Sequence, residues 1–152
     1  MVLNERNKKS KPKKNRTFLS SFRFAFEGVR TVFQEERNMR SHTFSTLAII
    51  ILSLFLNLSL NEWLWILLLC FLVLVMEVWN TVIENVVDLA SPEYHPLAKK
   101  AKDMAAAAVL LTSGFSVVVG GLIVVPKLLK LFKKKKKIKN FKRSVAYAKC
   151  VR

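Results

Sequence analysis

The sequence predicts an all-α membrane protein: one amphipathic helix at the membrane surface and three transmembrane helices. Three observations lead there. The 152-residue chain is 52% hydrophobic yet carries a formal net charge of +16. The two properties are segregated, with eleven Lys and Arg in residues 1–40, three in 99–102, twelve in 127–152 and none in 41–98. Three long apolar runs occupy residues 44–60, 63–87 and 104–125. A bilayer core takes about 20 apolar residues to cross, and basic flanks suit anionic headgroups. A soluble basic protein would interleave its charges with its core, and three such runs leave few polar faces to meet water. The length suits one domain. No apolar signal-peptide core follows the basic N-terminus at the usual distance.

Residues 1–16, MVLNERNKKSKPKKNR, form a polar basic tail with too few apolar residues to fold. Over 17–35, Phe18, Phe22, Ala25, Phe26, Val29 and Phe33 recur at helical spacing, with Arg23, Glu27 and Arg30 opposite. Such a helix, leading into a span, lies in the headgroup plane. The first span is expected at about 42–60 and the second at 63–88, joined by a hairpin too short to hold more than LNEW. The segment 89–103 offers two helix starts, Ser91-Pro92 and His95-Pro96. The third span is expected at about 100–126, and residues 127–152 form a basic C-terminal tail. Cys70 and Cys150 fit no metal or disulfide pattern. His42 and His95 read as solvated loop residues, and the P-loop and protein-kinase signatures are absent.

The second span holds the chemical signal. Its C-terminal half reads MEVWNTVIENVVD (76–88), an apolar helix that carries Glu77, Glu84 and Asp88. Offsets of 3, 7 and 11 place Asn80, Glu84 and Asp88 on the face of Glu77. Glu77 and Glu84 stand about 10 Å apart along the axis. An acid at the bilayer centre costs about 2.5–3.5 kcal/mol on insertion scales, so Glu77, the deepest, points to function. Carboxylates bind divalent cations and act as bases. Lys99, Lys100 and Lys102 follow at the same end of the chain's hairpin, with Asp103 beside them. Carboxylates and lysines together suit a metal–nucleotide site; a small proton- or cation-coupled transporter is the alternative.

The block E-V-W-N-T-V-I-E-N-V-V-D (77–88), followed by S-P-E-Y-H-P-L-A-K-K-A-K-D-M-A-A-A-A-V (91–109), resembles the small prokaryotic integral-membrane diacylglycerol kinases, which include the undecaprenol kinases. G-V-R (28–30) with the acid Glu36 extends the resemblance, which covers about 17–125. It implies a homotrimer in the cytoplasmic (inner) membrane with active sites facing the cytoplasm. It also implies transfer of the ATP γ-phosphate to the primary hydroxyl of diacylglycerol or undecaprenol. By the same resemblance, Glu77 is the catalytic base. Glu36 and Glu84 ligate the Mg²⁺ that accompanies ATP. Glu93, Tyr94, His95, Lys102 and Asp103 contact nucleotide, and Asn80 and Asp88 support the cluster. Val82 stands where the family usually has alanine, and Phe24 where some members have tyrosine.

Residues 1–16 and 127–152 have no counterpart in the resemblance. The positive-inside rule prefers KLLKLFKKKKKIKNFKR (127–143) in the cytoplasm, whereas three spans and one ATP side put it outside. There it is a solvated charge run or a contact for anionic lipid or wall polymer. Nucleic acid is not an expected partner of a membrane-held chain.

Overall fold

The structure, a computed structural model, describes residues 18–150; the basic stretch 1–16 lies outside the described residues, as do the side chains of 142 and 144–150. All regular structure among the described residues is helical: α1 (Phe18–Glu35), α2 (Arg37–Leu54), α3 (Leu60–Ala90) and α4 (Pro96–Cys150).

Helix α1 leaves its aromatic side bare. Phe18, Phe22 and Phe26 are exposed, and Val32 is its buried residue. Phe18 and Phe22 stack edge to face at 5.4 Å, and Arg23 pairs with Glu27 at 3.3 Å. A row of exposed rings beside a polar face is what a headgroup layer covers.

One residue separates α1 from α2. Glu36 takes an extended backbone (φ −93°, ψ 120°) and its carboxylate makes no capping hydrogen bond. Its amide still donates to the Val32 carbonyl at 2.9 Å. The Arg40 guanidinium donates to the Gln34 carbonyl at 2.7 Å across the joint.

The apolar run expected to span 42–60 is helical only as far as Leu54. Phe55 and Leu56 donate back to Leu52 and Ser53 at 3.1 Å, tightening the last turn. Asn57 then enters the left-handed region at φ 48°, which its short polar side chain tolerates. Ser59 and Glu62 close a capping box at the start of α3. Lys127 of α4 completes the corner, donating to Glu62 Oε2 at 2.9 Å and to the Asn57 carbonyl at 3.4 Å. Beneath lies the main apolar cluster of Leu56, Ile66 and Val124. Glu62→Ala removes both the reciprocal cap and the interhelical pair. The midpoint of thermal unfolding in detergent is expected to fall by about a few degrees; an unchanged midpoint would mean that the corner is held by packing alone.

Two helices, α3 and the Pro96–Phe141 part of α4, are long and apolar enough to cross a membrane. At 1.5 Å per residue, the 31 residues of α3 reach about 46 Å, beyond a hydrocarbon core of about 30 Å. Helix α2 carries Arg37 and Arg40 in its first turn. Helix α4 packs along α3 more extensively than any other helix pair. It does not stop where the tail was expected but runs on through Pro126. Proline lacks the N–H for the preceding turn, but Val124, Leu128 and Leu131 pack on the α2–α3 cluster on either side of it and hold the helix in line.

Candidate active site

The acids of α3 descend from the surface into the bundle. Asp88 is exposed, Glu84 half-buried and Glu77 only 1% exposed. Glu77 lies about 16 Å along the axis from Asp88. Neither oxygen of Glu77 has a hydrogen-bond partner, and Asn80 Oδ1 also has none. Asn80 Nδ2 donates to Glu84 Oε1 at 2.9 Å, so the stripe is bonded internally. The Thr81 hydroxyl turns away and donates to the Glu77 carbonyl at 3.0 Å. A buried carboxylate with no donor is expensive to keep, which sets Glu77 apart as a candidate functional group.

The other groups facing Glu77 come from the joint and from α2. Glu36, His42 and Glu84 all stand close enough to act on it electrostatically. Glu36, whose carboxylate makes no capping hydrogen bond, is thus near enough to Glu77 to be felt by it. No trio of His, Cys, Asp or Glu among the described residues is close enough to hold a metal alone. Two carboxylates with water and phosphate oxygens are a sufficient set for Mg²⁺, and Glu36 with Glu84 fits that chemistry.

His42 corrects its sequence reading. It is no loop residue: it sits inside α2, half-buried, on the stripe Met39, His42, Thr46, Ile49 and Ser53. That stripe alternates steps of three and four, a signal readable in the sequence. His95 does lie in the α3–α4 connection, exposed, with Nδ1 accepting from the Leu97 amide at 3.2 Å.

At the membrane-surface end, Lys102 donates to Asp88 at 2.5 Å and Lys99 to Asp103 at 2.6 Å. Lys102 is thus drawn to the stripe, while Asp103 is held by its own helix. Glu93, Tyr94 and His95 are exposed beside them, and no hydrogen bond joins their side chains to the acids of α3. Below Glu77, an apolar groove of about 610 Å³ runs between α2, α3 and α4. His42 and Val73 line its upper end; Thr46, Cys70, Gly114 and Val117 line its course.

A family model described as prokaryotic diacylglycerol kinase matches residues 23–124, which include every one of these groups. The chain belongs to the prokaryotic diacylglycerol kinase family. The diacylglycerol kinase of Synechocystis sp. is 45% identical over 114 residues, covering 74% of this chain and 65% of that protein. The undecaprenol kinase of Bacillus subtilis is 40% identical over 111 residues, covering 73% of this chain and 90% of that one. The diacylglycerol kinase of Escherichia coli K12 is 31% identical over 88 residues, 58% of this chain and 72% of its own. The chain thus spans somewhat under two thirds of the Synechocystis relative and most of the Bacillus one.

Proposed function

We propose that the protein transfers the γ-phosphate of ATP to the primary hydroxyl of a membrane lipid, diacylglycerol or undecaprenol. The observation that carries this is the buried, unpartnered carboxylate of Glu77, set between an apolar groove and a cluster of acids and lysine. A lipid whose tail occupies the groove brings its hydroxyl to Glu77, which accepts the proton as the oxygen attacks the γ-phosphorus; the bond to the β,γ-bridging oxygen breaks and ADP leaves with its electron pair. Glu36 and Glu84 would hold Mg²⁺, which would supply positive charge against the phosphates during transfer. Lys102 leaves Asp88 for the more highly charged polyphosphate, and Asn80 fixes Glu84. Glu93, Tyr94, His95 and Asp103 contact the nucleotide at the surface.

The same reading takes α2 as a third span beside α3 and α4, with α1 in the headgroup layer and residues 127–152 beyond the kinase domain. The site faces the cytoplasm, where ATP is, from the cytoplasmic membrane. The chains assemble as a homotrimer. A proton- or cation-coupled transporter is disfavoured, because its acids would need access from both sides, whereas Lys102 and Asp88 cluster at one end, and the family is one of kinases.

The test is transfer of labelled phosphate from ATP to each of the two lipids, offered side by side in micelles. No transfer to either lipid would end the proposal. Gly114→Leu tests the groove. A Cβ added at Gly114 meets nothing within 4 Å, so a larger side chain starts into the open groove. The lipid KM is expected to rise about tenfold, the scale of losing one to two kcal/mol of apolar contact, with the KM for ATP unchanged. Equal effects on both constants would remove the tail from the groove.

A further inference from the structure

We propose that the basic part of α4, residues 127–141, is a docking surface for anionic phospholipid headgroups at the end of the bundle opposite the carboxylate cluster. The family match ends at residue 124, so this segment owes nothing to it. Residues 127–143 hold nine Lys, one Arg and no acid.

The position follows from two ion pairs. Lys102 meets Asp88 at one end of α3, and Lys127 meets Glu62 at the other. Twenty-five residues of helix separate the two lysines, about 38 Å, which matches a hydrocarbon core plus part of both headgroup layers. Lys127 is held half-buried at the boundary. Lys133 follows about 9 Å further on.

From there the helix shows two kinds of side chain at once. Lys130, residues 133–137 and Lys139 are exposed, and none makes an ion pair among the described residues. Leu129, Phe132, Ile138 and Phe141 are exposed between them. A lipid surface offers phosphodiesters to the ammonium groups on their flexible stems, and lysines next to a span are drawn to it. Because α4 is already rooted in the bilayer by Glu62, the headgroups are the polyanion at hand. Anionic lipid occurs in either leaflet, so the docking holds whichever side this end of the bundle faces.

The full chain is reconstituted in phosphatidylcholine vesicles with trace spin-labelled phosphatidylglycerol or spin-labelled phosphatidylcholine. The motionally restricted fraction of each label gives the relative affinity. Wild type is expected to prefer the anionic label by about threefold or more, with most of that preference lost at high salt. The combined variant K133Q/K134Q/K135Q/K136Q/K137Q is expected to fall to near parity with its helical circular dichroism retained. The other basic stretches are identical in both proteins, so the difference isolates this segment. An unchanged preference in the variant overturns the proposal, as does a wild type without salt-sensitive preference should the variant fail to insert. An RNA oligonucleotide captured by protein in neutral vesicles, with no preference for the anionic label, overturns it in favour of nucleic acid.

Discussion

Glu77→Gln is expected to abolish lipid phosphorylation to within about one part in a thousand while leaving the protein folded and inserted. A positioned general base is worth about 10²–10⁴ in rate, and no other carboxylate of the stripe is as deep. Glutamine keeps the size of the side chain and cannot accept the hydroxyl proton. The stability change should be zero or favourable, since both oxygens of Glu77 lack a donor and the buried charge has no partner to lose. The measurement pairs turnover in mixed micelles with thermal unfolding of the same sample. Turnover close to wild type would move the base elsewhere, and His42, the other titratable group lining the groove and facing Glu77, would be the next to substitute.

Glu84→Gln is expected to fail differently. It keeps a group that Asn80 can bond but removes half of the proposed magnesium grip. Turnover at limiting Mg²⁺ should fall about a hundredfold, in the range by which weakened ligation of a metal site lowers affinity or activity, and recover in part as Mg²⁺ is raised. Chelation of the metal should silence wild type entirely. Glu77→Gln should show no such recovery. If both variants respond identically to added Mg²⁺, the division of labour between base and metal ligand is wrong.

Much of this was legible in the chain. Glu77, Asn80, Glu84 and Asp88 share a face because their offsets follow the helical turn, and the graded burial from Asp88 to Glu77 follows from where the apolar run begins. The bare rings of α1 were equally plain, as hydrophobic periodicity reports what a helix turns away from water. What was missed lay in local chemistry that an apolar run hides. Ser59 and Glu62 carry a capping-box signature, but a run read for length alone passes over it, so the end of α2 at Leu54 went unseen. His42 reads as a solvated loop residue when taken alone, whereas its spacing to Met39 and Thr46 puts it on an inward helix face. The span expected to end at about 126 continues as helix through Pro126, because the packing of Val124, Leu128 and Leu131 cannot be read from propensity. The pairing of Lys102 with Asp88 joins residues fourteen apart across a connection, and only the folded turn reveals it.

Ordinary connections absorb added residues, which is why insertions gather there. The joint at Glu36 has no such slack. One extra residue beside it would rotate the following helix by about 100° and advance it about 1.5 Å. The carboxylate would then aim away from α3, and Arg40 would no longer reach back over the joint. Length variation in this chain should therefore be tolerated before residue 18 and after 141, past the contacts of Lys127, Leu128 and Leu131, but scarcely at all where the surface helix turns inward.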